Sequence, residues 1–156
     1  MTDITIRPAA AEDRAFVLGL VPELIAFGPP AWRDRTEMIA TDTSVIGEAL
    51  AGRTDGATVL IAEDARGTRL GFIHLSAEKD YYLQQDCGHI GDIVVAPEAR
   101  GRGVGRALLS AAERWAADRG YQLLTLNVFV QNRGPQALYE EVGFRAEAIK
   151  YVKRLV

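Results

Sequence analysis

The chain has 156 residues, of which 48% are hydrophobic and 25% charged, and its formal net charge at pH 7 is -3. This length suits one domain, and the acidic balance argues against a nucleic-acid or anionic-membrane binder. A lone cysteine, Cys87, excludes an internal disulfide, and no apolar run approaches the ~20 residues of a membrane span. Because residues 1–7 also lack a signal-peptide core, we expect a single cytoplasmic domain over residues 1–156.

The N-terminal part of the chain predicts a short strand and a divided helix. Ile4 and Ile6 alternate with polar residues before Pro8, which is the pattern of a strand. Apolar residues recur at helical spacing over Ala10–Phe27, and Pro22 should kink or split that helix.

A second helix and a hairpin follow. The helix is predicted over about Thr36–Ala51, and the two strands over Ala57–Glu63 and Leu70–Ala77. Trp32, in the loop between the helices, either holds a substrate or packs the loop down. The polar stretch Glu78–Gly88 is predicted to be a loop. Its acidic and aromatic side chains could form a wall for a cationic amine, or simply a solvated loop: Asp80, Tyr81, Tyr82 and Asp86.

The stretch His89–Arg106 organises the rest of the chain. It begins with an apolar run, Ile90–Ala96, that holds one carboxylate, Asp92, and ends at Pro97. Three glycines then alternate with other residues, at positions 101, 103 and 105. An apolar helical face follows them, formed by Val104, Leu108, Ala111, Ala112 and Trp115. The pattern predicts a strand, a glycine-rich turn and a helix.

A turn of this kind is suited to bind phosphate or pyrophosphate. Backbone N–H groups are free at a helix N-terminus, where the helix dipole also favours an anion. Arg100, Arg102 and Arg106 add three cations. The glycines do not fit a nucleoside-triphosphate loop, which needs a following Lys-Ser or Lys-Thr, or the G-x-G-x-x-G of a dinucleotide fold.

The C-terminal part predicts a buried strand, a helix and a last strand. Leu123–Val130 has few charges and many β-formers, and it should pair in parallel with the preceding strand through the intervening helix. In Asn132–Phe144, Pro135 suits the first turn of a helix and Gly143 suits its end. Phe144–Leu155 alternates in part and is predicted to be a final strand or strand pair.

Two motifs resemble those of the GNAT superfamily of acyl-CoA-dependent N-acetyltransferases. One is R-x-x-G-x-G at Arg100–Gly105, and the other is N-x-x-P-x-x-L-Y-x-x-x-G-F at Asn132–Phe144, with Pro135 where alanine is usual. The resemblance implies an α/β fold with a central mixed, splayed sheet of six to seven strands flanked by about four helices. It also implies that acetyl-CoA binds Ile93, Val94, Val95, Arg100, Gly101, Arg102, Gly103, Val104, Gly105, Arg106, Asn132 and Tyr139.

The resemblance further implies direct transfer of an acetyl group from acetyl-CoA to an amine. An ammonium needs a base before it can attack, and the leaving thiolate benefits from an acid. Asp92 is the leading base, because a carboxylate in an apolar strand is costly unless it is paired or functional. His89 is the second candidate for the base, and His74 a weaker one. Tyr139 is the expected acid.

We expect the acceptor to be a primary amine of a small cationic molecule, and neither nucleic acid, membrane nor metal ion to take part. Two alternatives stay open: an enzyme that acetylates protein lysines or N-termini, and a non-catalytic module that binds acyl-CoA. The sequence does not identify the acceptor, and the resemblance leaves a homodimer open.

Overall fold

The computed structural model describes residues 3–156; Met1 and Thr2, which the predicted domain includes, lie outside the described residues. One sheet and four α-helices form a mixed α/β domain. In chain order the elements are β1 (Thr5–Pro8), α1 (Arg14–Leu20), α2 (Arg35–Leu50), β2 (Thr58–Glu63), β3 (Arg69–Lys79), β4 (Asp86–Val95), α3 (Val104–Asp118), β5 (Leu124–Leu126) and α4 (Arg133–Glu141).

The sheet follows the chain, with the strands in the order β1-β2-β3-β4-β5. The first four strands pair with one another in antiparallel fashion, and β5 runs parallel to β4 across the α3 crossover. The mixed sheet and the parallel pair confirm the predicted fold class. The sheet described has five strands rather than six to seven.

Two predicted strands differ from those observed. The strand predicted over Leu123–Val130 is only Leu124–Leu126, because β5 diverges from β4 after Leu126 and its pairing hydrogen bonds end there. The final strand predicted over Phe144–Leu155 is neither strand nor helix. Strand-forming side chains are not sufficient there, because a strand needs a neighbouring backbone to pair with.

Both faces of the sheet are covered. On one face α3 packs on the sheet, and all five apolar residues of its predicted face are buried: Val104, Leu108, Ala111, Ala112 and Trp115. On the other face Val17 of α1 and Ile46 of α2 pack against Phe72 of β3 and Val94 of β4. The sheet is therefore a rigid support with a helix layer on each side.

Local signals explain most element boundaries. Pro22 begins a 3₁₀ turn, Val21–Ile25, directly after α1, so the predicted long helix is divided there as expected. Asp34 caps α2 by accepting a hydrogen bond from the Glu37 N–H at 2.9 Å. The loop predicted over Glu78–Gly88 is wrong at both ends, since β3 and β4 extend into it and leave only residues 80–85 as the turn.

A β-bulge interrupts the long hairpin of β3 and β4. His74 pairs with Asp92 and the next residue, Leu75, pairs with Ile90, so Gly91 is an extra residue on β4. Simple alternation along this strand would put Ile90 on the same face as Asp92 and Val94. The bulge changes this, because Ile90 packs in the core on the α3 side and Val94 in the core on the other side.

Within residues 3–156, no helix is both long and apolar enough to span a membrane.

Candidate active site

A cleft opens where β4 and β5 separate. Their pairing begins at Gly88 with Leu124 and ends at Ile90 with Leu126, so the C-terminal half of β4 pairs with β3 alone. Ile93, Val94 and Val95 line this cleft. Residues 126–129, which run from the last residue of β5 into the following loop, line it as well. The backbone edge of β4 is thus left open to an extended ligand, in agreement with the splay that the resemblance implied.

The cleft has a volume of about 1040 Å³ and is bordered by elements from both halves of the chain. The 3₁₀ turn after α1, the loop to α2 and the first half of α2 form one wall, and β4 with α4 forms the other. Phe27 and Phe129 approach from opposite walls, with their ring centroids 5.5 Å apart. A cleft of this size accommodates a ligand larger than a single amino acid.

The glycine turn lies beside one end of the cleft and lines a smaller cavity of about 260 Å³. Gly101 and Gly103 have φ values of +78° and +82°, a region that favours glycine, and Gly103 is the N-cap of α3. A Cβ at either position would meet no protein atom within 4 Å. Side chains would therefore project into the open space in front of the helix N-terminus, where a phosphate would sit.

Gly105 has a different reason to be glycine. It lies inside α3, and a Cβ there would be 3.2 Å from Cδ2 of Leu138. The missing side chain lets α3 and α4 approach each other closely. Gly105, Leu138 and Val95 line the small cavity and the large cleft alike, so this contact joins the two spaces.

Two of the three arginines in the turn already have carboxylate partners. Arg100 donates to Glu23 at 3.1 Å, and Arg106 forms an ion pair with Glu141. Both pairs are exposed, so each contributes little to stability and can exchange its partner for a phosphate. The free backbone N–H groups and these guanidinium groups together suit the pyrophosphate of CoA.

Replacing Gly103 with valine should lower the affinity for CoA at least tenfold, because the side chain would occupy the phosphate position. The matched control is Gly120→Val: Gly120 follows α3, has a φ of +73° and also meets nothing within 4 Å. Both variants carry the same backbone strain and should melt at similar temperatures. Isothermal titration with CoA measures the difference. Equal CoA affinity in the two variants would contradict the phosphate position.

Asp92 lies on the cleft side of β4 and is held by a buried histidine. Its Oδ2 is 2.9 Å from Nδ1 of His74, and only 14% of the Asp92 side chain is exposed. The glycine at position 91 leaves room for the imidazole, since a Cβ there would lie 2.8 Å from the same His74 nitrogen. The pair fixes one carboxylate oxygen and leaves the other available to the cleft.

A second carboxylate, Asp42, was missed by the sequence analysis. It is half-buried on α2 and borders the same cleft as Asp92. Burial, and next the charge of Asp92, raise the pKa of Asp42 to about 6. The residues around Asp42 in the sequence do not indicate a functional site, because Asp92, the carboxylate that it faces, is fifty residues away in the chain.

His89, the second candidate base, is placed differently. Its Nδ1 lies 2.8 Å from Oγ1 of Thr125 and 3.6 Å from Glu78, and it does not line the cleft. The acidic and aromatic side chains that could form a wall for a cationic amine also lie outside the cleft. Asp80, Tyr81, Tyr82 and Asp86 are in or next to the β3–β4 turn, outside the cleft lining. Trp32 does line the cleft, and its side chain is 48% exposed.

The residues predicted from the C-terminal motif do reach the cleft. Tyr139 lines it from α4, and burial raises the pKa of its phenol above the ordinary value. Asn132 occupies the N-cap position of α4, but its side chain makes no capping hydrogen bond. Capping therefore does not explain this asparagine, and its amide can contact a ligand in the cleft.

Comparison with known proteins is consistent with this geometry. The model of the acetyltransferase (GNAT) family matches residues 22–144. An aminoglycoside N(6')-acetyltransferase type 1 of Klebsiella aerogenes is 33% identical over 143 residues, which are 89% of this chain and 88% of that protein. An uncharacterised N-acetyltransferase of Bacillus subtilis is 35% identical over 89 residues, 57% of this chain and 59% of that protein, and so is matched over less than two thirds of its length.

Among solved structures, AAC(6')-Iy in complex with the bisubstrate analogue CoA-S-monomethyl-acetylneamine has a TM-score of 0.71 and 25% identity, over 97% of this chain and 99% of that one. The match to the family model covers most of the chain, and it confirms the resemblance seen in the two motifs. The chain belongs to the acetyltransferase (GNAT) family, and acetyl-CoA is the acyl donor that its glycine turn and open strand edge fit.

Proposed function

We propose that this acetyltransferase transfers the acetyl group of acetyl-CoA directly to a primary amine of a small molecule that carries several positive charges. The main support is the charge of the cleft, which is lined by five carboxylates, Glu23, Asp34, Glu37, Asp42 and Asp92, and by two arginines, Arg33 and Arg100. Arg100 is already paired with Glu23. The remaining groups give the acceptor side a negative potential that attracts a polycation.

The relatives support the same class of acceptor. The Klebsiella relative is an aminoglycoside N(6')-acetyltransferase, and the analogue bound to AAC(6')-Iy joins CoA to an acetylneamine. Aminoglycosides are small polyamines, which is the chemistry that the cleft of this chain favours. The exposed indole of Trp32 provides an aromatic face on which a cation can lie.

Asp92 is the proposed base. An acceptor amine enters the cleft as an ammonium, and it must lose a proton before its lone pair can attack a carbonyl. The oxygen of Asp92 that does not contact His74 can take this proton directly or through a water molecule. His74 keeps the carboxylate in place, and Asp42 adds a second negative charge that holds the ammonium near it.

The donor is held along β4 and at the glycine turn. The open edge at Ile93 and Val95 can hydrogen-bond an extended amide chain as an added strand does. An N–H group on this unpaired edge can also stabilise negative charge that develops on the thioester oxygen. Tyr139 is placed in the same cleft, where its hydroxyl can donate a proton to the departing thiolate.

The test is a panel of amines, with the release of CoA thiol followed colorimetrically. We expect turnover with aminoglycosides or linear polyamines, and values of kcat/KM that rise with the number of positive charges on the acceptor. Neutral primary amines of similar size serve as the matched controls. Preference for lysine peptides would replace the small acceptor with a protein, and binding of acetyl-CoA without turnover of any amine would indicate a non-catalytic module.

Asp42→Asn should weaken the binding of a polycationic acceptor and change its pH dependence. In the native protein, kcat/KM should fall as the pH drops through about 6, because Asp42 takes up a proton there. The variant should have a lower kcat/KM at pH 7.5, and its kcat/KM should not show this fall as the pH drops through about 6. Glu48→Gln, which changes an exposed carboxylate elsewhere on α2, is the control and should behave as the parent. An unchanged pH profile in Asp42→Asn would remove Asp42 from acceptor binding.

The same variant should stabilise the free protein at neutral pH. Because the pKa of Asp42 in the folded chain lies above its ordinary value of 3.8, the folded chain binds more protons than the unfolded chain between about pH 4 and 6. Stability from this group therefore decreases as the pH rises through that window. The melting temperature of Asp42→Asn should exceed that of the parent at pH 7.5, and the two should converge near pH 4.

A further inference from the structure

One charged side chain borders both the small cavity at the glycine turn and the large cleft. In the part of the chain that the structure describes, four residues line both spaces: Val95, Arg100, Gly105 and Leu138. Arg100 is the only one of the four that carries a charge, and more than half of its side chain is exposed. A ligand in either space can therefore interact with the Arg100 guanidinium.

The carboxylate that pairs with Arg100 belongs to the cleft. Oε2 of Glu23 accepts a hydrogen bond from Nη2 of Arg100 at 3.1 Å, and the two residues are 77 positions apart in the chain. Glu23 lines the cleft but not the small cavity. The 3₁₀ turn that carries it is anchored by Val21 and Ile25, which are both buried. Because the backbone is held in this way, the side chain of Glu23 is the part that can change its partner.

The second ion pair of the glycine turn differs in one respect. Arg106 lines the small cavity, as Arg100 does, and it pairs with Glu141. Glu141, however, lines neither the small cavity nor the cleft. Both pairs therefore neutralise an arginine of the turn, but the pair at Arg100 takes its carboxylate from the cleft. The pair at Arg106 is thus a natural control for the pair at Arg100.

We propose that Glu23 couples the binding of the two substrates: it neutralises Arg100 in the free protein, and it binds the cationic acceptor once the pyrophosphate of the donor has taken Arg100. This inference rests on the proposed function and adds a role for Glu23 within it. A pyrophosphate at the glycine turn offers the guanidinium a more highly charged partner than one carboxylate does. Since an exposed ion pair contributes little to stability, the exchange costs little.

After the exchange, Glu23 remains in the cleft without its cation and adds a negative charge where the acceptor binds. Coupling of this kind operates in both directions. If the donor raises the affinity for the acceptor by some factor, the acceptor must raise the affinity for the donor by the same factor. We expect a factor of about three to five, because the pair that is exchanged is exposed. Each substrate thus favours the complex that contains both, which direct transfer requires.

Isothermal titration measures the coupling with CoA, which has no acetyl group to transfer, and with the polycation that has the highest kcat/KM in the amine panel. In the parent, saturating CoA should lower the Kd of the polycation about three- to fivefold, and the polycation should lower the Kd of CoA equally. Glu23→Gln should abolish this coupling and tighten CoA binding about two- to fivefold, since no carboxylate then competes for Arg100. Arg100→Gln should strengthen polycation binding to the free protein, because Glu23 then has no guanidinium to neutralise it.

Glu141→Gln is the matched control, since it removes the other carboxylate that pairs with an arginine of the turn. It should leave the coupling factor as in the parent. The melting temperatures of all three variants should stay close to that of the parent, because both ion pairs are exposed. Parental coupling in Glu23→Gln, or no gain of polycation affinity in Arg100→Gln, would overturn the inference while the proposed function stands. A parent that turns over no polycation of the panel would overturn both.

Discussion

Asp92→Asn should reduce kcat by about 10²–10³-fold, which is within the range that general-base catalysis supplies. The substitution preserves the size of the side chain and removes the group that takes the proton of the ammonium. Acetyl-CoA affinity should remain within about twofold of the parent, because the donor contacts that we propose are on the backbone edge of β4 and at the glycine turn. Steady-state kinetics with the best amine, together with titration of acetyl-CoA, measure both quantities.

The control for Asp92→Asn is Asp86→Asn, which changes a carboxylate on the same strand that does not line the cleft. It should leave kcat unchanged. His74→Gln tests the positioning role of the buried histidine: kcat should fall, and the pH–rate profile should shift, without loss of acetyl-CoA binding. If Asp92→Asn retains the parent rate and pH profile, the base is not Asp92.

Tyr139→Phe should lower kcat by about 10²-fold, because it deletes the hydroxyl proposed to protonate the leaving thiolate. The ring contact with Phe144, whose centroid is 6.1 Å away, is retained, so the melting temperature should change little. The loss should appear in kcat rather than in the affinity for acetyl-CoA, since the interaction forms mainly in the transition state. A more activated thioester should lose less activity than acetyl-CoA.

Tyr121→Phe is the matched control for this hydroxyl. Tyr121 packs against Trp115, with ring centroids 5.6 Å apart, and does not line the cleft. Its removal should not affect kcat. Tyr139→Phe with parental kcat on a good acceptor would mean that the tyrosine only packs and that water supplies the proton.

Local signals in the sequence predicted the strand, the glycine turn and the helix that we propose hold the donor. The apolar run, the glycine turn and the apolar face of α3 are close in the chain, and each has its own periodicity or backbone requirement. The positive φ of Gly103 and the burial of Leu108 are direct consequences of that pattern. The motif around Tyr139 likewise placed that side chain in the cleft.

The acceptor side depends on contacts between distant segments, which a single sequence does not encode locally. The His74–Asp92 pair depends on how β3 and β4 pair, and the register changes beside it at the Gly91 bulge, which simple alternation does not reveal. Asp42 comes close enough to Asp92 to feel its charge only because α2 packs on the sheet. The alternation in Phe144–Leu155 predicts a strand or strand pair, but pairing requires a neighbouring strand edge, which the fold does not bring to this segment.

Mass spectrometry of a single reaction tests whether the acetyl group passes directly from acetyl-CoA to a cationic amine. The protein is mixed with a polyamine and with acetyl-CoA that carries an isotope-labelled acetyl group. The masses of the amine, the CoA and the intact protein are then measured. We predict labelled N-acetylated polyamine and free CoA in equal amounts, with no label on the protein. Intact acetyl-CoA with unmodified amine, or an acetyl group retained on the protein, would contradict the account.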